Sequence, residues 1–144
     1  MARFRVDGLD DLLQDFDRFA KMPEDVQDEM LNAEADIIVE AQRKTARSML
    51  TGPYSKGIVA KNVIKGKVKK AKDGKVLHIT FEGSVTDKAH KKGTRVAEIA
   101  FINEFGKENQ PARPFIQTAN EQFADEAVDA ARDVHDKWLK ELGL

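Results

Sequence analysis

Glu104-Phe105-Gly106 and, after four intervening residues, Pro111-Ala112-Arg113-Pro114-Phe115 form the stretch on which the reading of this chain turns. Nowhere else in the sequence do Gly, Pro, Arg and aromatic residues crowd together. The stretch joins the last apolar run of the middle region to a long helical pattern. Gly106 is free to take a positive φ and so permits a sharp turn. Pro114 fixes its own φ and pushes Arg113 out of the α region. Pro is also favoured at the first position of a helix, so a helix is expected to start at about residue 114. Phe105 and Phe115 then stand as apolar anchors on either side of a bend, with Arg113 between them. An ion pair between Glu104 and Arg113 across that bend is the sharpest structural expectation. Two readings stay open: a helix start pinned to the core, or a contact surface with Arg113 and one Phe facing a partner.

The pattern after Pro114 predicts a helix over about 114–142. Ile116, Ala119, Phe123, Ala127, Ala130, Val134 and Trp138 form its apolar stripe, and Glu121, Asp125, Glu126, Asp129 and Asp133 its polar face. Before the joint, residues 96–105 are apolar but too short for periodicity to separate a buried strand from two helical turns. Residues 83–95 carry Lys88, Lys91, Lys92 and Arg95 without apolar periodicity, which predicts a mobile loop. Two β-rich runs, 58–70 and 75–82, flank Asp73-Gly74, a hairpin signature. Leu77, Ile79 and Phe81 share one face of the second run, and Ile64 and Val68 are expected to join them from the first.

Upstream, Pro23 with Glu24 and Asp25 opens a second long helix over about 23–50, which Gly52-Pro53 stops. Val26, Met30, Ala33, Ile37, Ala41 and Ser48 trace its expected inner side, widened by Ile38 and Met49. Residues 51–57 read as a loop. Leu9, Leu12, Leu13, Phe16 and Phe19 predict a shorter amphipathic helix, preceded by a short edge strand over residues 4–7. The fold class is therefore α+β. A small antiparallel sheet, built from the 58–70/75–82 hairpin and short strands, packs against two long helices in a single domain spanning 1–144.

Composition bounds function. At 144 residues, with 41% hydrophobic and 34% charged side chains, the chain is long enough for a core and heavily solvated. It contains no Cys, which removes disulfides, thiolate metal sites and Cys nucleophiles. No apolar run approaches the roughly 20 residues that span a bilayer, and the first residues lack a signal-peptide core, so a soluble product made in a cytoplasm is expected. The charge is segregated. Residues 1–40 hold four basic and twelve acidic side chains, residues 41–97 fifteen and three, and residues 98–144 five and ten. Such a pattern can hold a domain together, bring identical subunits head to tail, or offer a basic surface to nucleic acid.

No catalytic, metal or cofactor constellation emerges. His78, His90 and His135 lie far apart in the sequence, without ligand spacing. Ser48, Ser55 and Ser84 have no neighbouring base. Gly66-Lys67 and Gly74-Lys75 lack the phosphate-loop spacing. The expectation is a protein that is not an enzyme. The basic run Lys61, Lys65, Lys67, Lys69, Lys70, Lys72 and Lys75 offers contacts to phosphates that would be salt-dependent and sequence-independent. It has no interleaved aromatics for stacking bases. The alternative is a solvated hairpin whose lysines discourage edge pairing.

The order of parts resembles a known family. Gly8-Leu9-Asp10 enters a helix; a long helix, Thr51-Gly52, a hairpin, Glu104-Phe105-Gly106, Pro111-Ala112-Arg113-Pro114-Phe115 and a final helix follow. Across nearly its whole length the chain looks like the tail-completion and head–tail connector proteins of long-tailed bacteriophages and prophages, the lambda-like minor tail component Z group in the broad sense. It departs from that pattern at Lys107, where the family usually has Thr, and in the loop 52–58. The resemblance implies a non-enzymatic virion structural protein of the tail or neck, assembled in the host cytoplasm. Implied partners are copies of itself in a ring, the tail tube or terminator, and neck or head-completion proteins, with no membrane and at most non-specific DNA contact. It points to Glu104, Phe105, Gly106, Pro111, Arg113, Pro114 and Phe115 as the joint or contact residues.

Overall fold

The computed structural model describes residues 22–52, 57–72, 74–86 and 92–143. The helix expected near Leu9, the edge strand over residues 4–7, the middle of the expected mobile loop at 87–91, His90 and Ser55 lie outside them. Two long helices dominate the rest: α1 (Glu24–Met49) and, at the far end of the chain, α4 (Phe115–Glu141). Pro23 precedes the first helical residue, and Glu24 and Asp25 fill the first turn, where the helix dipole favours acids. The two helices run antiparallel, since Ala46 meets Phe115 in the core while Gln42 donates to Asn120 at 3.1 Å. Ala35, Ala41 and Ala46 on α1, with Ala119, Ala127 and Ala131 on α4, are buried; these small side chains allow close approach. Val39 and Trp138 supply bulk.

The inner side of α1 is only partly the one expected. Ala35, Val39, Gln42, Thr45 and Ala46 are buried beside Ala41, whereas Ser48 is exposed and Ile37 and Ile38 are half-buried. The buried seam is rotated from the expected stripe: Ala41 belongs to both, and Met49 packs against the core as expected. On α4 the expected Ala119, Ala127 and Trp138 are buried. Ala131 is buried where the pattern predicts Ala130.

The connecting region is the small sheet. Residues 58–61, expected to begin a strand, instead form a single helical turn, α2 (Ile58–Lys61). Gly57, at φ 68°, starts it, and Asn62 closes it by donating its side-chain amide to the Ile58 carbonyl at 2.7 Å. The turn buries the adjacent residues Val59 and Ala60 together, which a strand, with its alternating sides, would not. The hairpin follows as β1 (Val63–Lys65), β2 (Lys69–Ala71), β3 (Gly74–Val76) and β4 (Ile79–Phe81). β1 pairs with β4 (Val63 opposite Phe81) and β2 with β3 (Lys70 opposite Lys75), both antiparallel.

Between the two ladders the Gly66 amide donates to the His78 carbonyl at 2.7 Å, so Lys67 and Val68 stand against the single residue Leu77. That extra residue is a β-bulge, and it shifts the register between tip and base. At the base, Ile64 lies opposite Thr80 rather than on the Phe81 face. Wholly buried Val63 takes its place.

The expected loop over 83–95 is corrected at its ends: β5 (Ser84–Val85) pairs antiparallel with β6 (Thr94–Arg95). Residues 96–105, which periodicity leaves open between strand and helix, form a helix, α3 (Val96–Phe105). Val96 and Ala100 from α3 close the core with Ala46, Val59, Ala60 and Phe115. The architecture is thus α+β, two long helices with small two-stranded antiparallel sheets.

Candidate partner-docking joint

The joint is built by α3 facing two ways. Its inner side presents Asn103 and Glu104, 7% and 6% exposed. Helix α4 begins after Pro114, whose ring cannot cap the free amides of the first turn. Glu104 supplies the cap from another helix. Its Oε2 accepts from the Ile116 amide at 2.7 Å and its Oε1 from the Gln117 amide at 3.0 Å. The Phe115 amide donates to the Arg113 carbonyl at 2.8 Å, and the Thr118 amide opens the regular ladder to Pro114. Every amide of the first turn is therefore satisfied, and a carboxylate sits where the helix dipole is positive.

Arg113 does not pair with Glu104, so the expected ion pair is not formed. The Glu104 oxygens are taken by α4, and the guanidinium turns to Asn103 instead. Arg113 Nη2 donates to Asn103 Oδ1 at 2.7 Å and Nη1 to the Thr51 carbonyl at 3.2 Å. The Arg113 amide donates to the Asn103 carbonyl at 2.6 Å. Asn103 thus joins α3 to the 106–113 turn, and Arg113 carries the link on to Thr51, just past α1. Sequence reasoning misses it, and nothing in its spacing singles it out.

Gly106 ends α3 at φ 77° and ψ 179°, a backbone state that side chains rarely adopt. The chain then folds back through the Lys107–Gln110 bridge. A Cβ on Gly106 would lie 2.8 Å from both the Ala112 nitrogen and the Gln110 oxygen. Gly106→Ala is therefore expected to lower stability by about 2 kcal/mol, seen as a shift of the urea midpoint, because the opposing atoms are backbone and cannot swing aside.

Phe115 and Phe105 do not play matching parts. Phe115 is wholly buried, edge-on to Phe81 with centroids 6.0 Å apart. Phe105 is 71% exposed and stacks at 5.5 Å on Phe101, which is 63% exposed. Of the two apolar anchors expected, only Phe115 lies in the core: inward positions 103 and 104 place position 105 on the outer side of the helix. Sequence reasoning does not single out Phe101, because it leaves residues 96–105 open between a buried strand and two helical turns and assigns no outward side. The signal available is two large aromatics four residues apart, which share a helix face. Pro111 and Ala112 are also exposed.

The basic hairpin is partly used within the chain. Lys75 meets Asp28 at 2.6 Å and Glu24 at 3.5 Å, Lys70 meets Glu24 at 3.6 Å, and Lys65 meets Asp36 at 2.7 Å. Glu24, Asp28 and Asp36 are spaced by multiples of four and so lie along one side of α1. The hydrogen bond to Asp28 raises the Lys75 pKa above the ordinary lysine value, and the acids' charges add to it against some desolvation. That contribution is therefore present throughout neutral pH and is lost as pH rises past the lysine range. Among the described residues, Lys61, Lys67, Lys69 and Lys72 are exposed and have no ion-pair partner. No three His, Asp or Glu side chains among the described residues converge as a metal site. No described helix is long and apolar enough to cross a membrane. Comparison with protein-family models, curated proteins and solved structures returned no match for this chain.

Proposed function

We propose that this chain is a non-enzymatic structural protein of a phage or prophage, acting in tail completion or head–tail joining at the neck end of the tail. The observation that carries the reading is the division of labour at the joint. Glu104, Gly106, Arg113 and Phe115 build the start of α4, while Phe101 and Phe105 stand outside the fold. A stacked aromatic pair exposed on a helix, supported from behind by a fixed turn, suits a docking anchor. The ordered motifs from Thr51-Gly52 to Phe115 supply the phage assignment through their resemblance to that family. The partners proposed are further copies of the chain, the tail tube or terminator, and neck proteins.

The second reading, sequence-independent binding of nucleic acid, rests on Lys61, Lys67, Lys69 and Lys72. It is weakened because Lys65, Lys70 and Lys75 already face acids of α1. The assignment is tested in a host that carries the gene together with its phage. Purified particles are expected to contain the chain in fixed copy number, and its deletion to leave heads and tails unjoined. Complete, infectious particles without it would overturn the assignment. Binding to a mixed-sequence duplex that is undetectable even at low salt would end the second reading.

A further inference from the structure

We propose that the outer face of α3 is a self-complementary surface that pairs with a second copy of this chain across a two-fold axis. Glu98, Phe101 and Phe105 are all exposed and recur at i, i+3 and i+7, so they form one stripe along the helix. Beyond its ends stand Arg95 on one side and Lys107 and Glu108 on the other, all exposed. Along the chain the order is basic, acidic, aromatic, aromatic, basic, acidic. Reversed, as a two-fold axis through the centre of the stripe would present it, the order is acidic, basic, aromatic, aromatic, acidic, basic. Every position then meets its complement. Arg95 faces Glu108 of the second copy, Glu98 faces Lys107, and Phe101 faces Phe105. Such a contact is isologous: the same patch serves both copies, and it closes as a pair.

The charges also argue for this occupant over others. Nucleic acid and anionic membrane surfaces select clusters of one sign. Here each end of the stripe carries one acid and one base. Among the described residues Arg95 pairs with Glu98, at 3.3 Å with both side chains largely exposed, so the pair is weakly held and can exchange partners. An aromatic side chain buries roughly 150–250 Å² when fully covered. Two rings that are about two-thirds exposed therefore offer far less than the roughly 800 Å² per partner of a standard interface. The pair should accordingly be reversible and dependent on concentration.

Sedimentation equilibrium of the full chain over a concentration series is expected to show monomer and dimer. Phe101→Ser or Phe105→Ser should weaken the dimer by about tenfold or more. Glu98→Lys and Lys107→Glu should each weaken it. When these two single variants are mixed, they should form heterodimers. Both contacts between positions 98 and 107 then set a lysine of the Glu98→Lys chain against a glutamate of the Lys107→Glu chain. Circular dichroism melting of each variant checks that the fold is retained. A chain that stays monomeric up to millimolar concentration would overturn the proposal, as would a dimer indifferent to both Phe changes or charge variants that fail to rescue each other. The proposal rests on α3 as an assembly surface and not on the phage assignment. A monomer that enters phage tails would sink the dimer alone, and a dimer absent from tails would sink the assignment alone.

Discussion

Phe115→Ala is expected to destabilise the chain by about 4 kcal/mol, the largest effect predicted for a single substitution, measured by urea unfolding. The ring is wholly buried where α1, α2, α3 and the sheet meet. It touches Phe81 edge-on, so truncation removes that contact as well as the transfer energy of the ring. Ala46, Val59, Ala60, Val96 and Ala100 surround it, and α1, α2 and α3 carry them. Small side chains on separate elements cannot collapse far into the space, so most of the cavity cost should remain. Against a total stability of about 5–15 kcal/mol for a domain, such a loss would leave a marginal fold.

Glu104→Ala is expected to cost about 3 kcal/mol in the same measurement, because it removes two charge-assisted hydrogen bonds at a buried helix start. Pro114 offers no replacement cap, and Thr118 is occupied with the Pro114 carbonyl at 2.7 Å. Glu104→Gln keeps one good acceptor for either Ile116 or Gln117 but turns an amide nitrogen toward the other. It should cost about half as much. Amide exchange distinguishes loss of the cap from general loosening. In Glu104→Ala the Ile116 and Gln117 amides should lose protection first, ahead of those in the middle of α4.

Much of the frame was legible in the sequence, for identifiable reasons. The long helices carry their signals locally: Pro and acids at the start of α1, and a breaker at Gly52. Asp73-Gly74 marks the hairpin. What was not legible depends on distant partners. Ile58–Lys61 looks like strand by composition and becomes helix because Val59 and Ala60 must both reach the same core. The bulge at Lys67 and Val68 sets the register and has no marker in the sequence. At the joint the residues are visible but their partners are not. Glu104 and Arg113 have opposite charges nine residues apart, and an ion pair is the simple inference. The free amides of α4 compete for the carboxylate, and Asn103 competes for the guanidinium. The exposed pair, Phe101 and Phe105, is hidden inside a run too short for periodicity to assign an outward side. The lysines that read as one basic surface divide once α1 lies beside the hairpin.

On the proposed reading, α3 uses its inner side to hold the fold and its outer side to hold a partner. The most direct measurement is the unfolding free energy of the double variant Phe101→Ser/Phe105→Ser, taken at a concentration where wild type is monomeric. Loss of two large aromatics should leave that free energy within about 0.5 kcal/mol of wild type, as for surface positions outside the packed core. A fall of about 2 kcal/mol or more would contradict the claim, because it would show the two rings to be part of the core of a single chain.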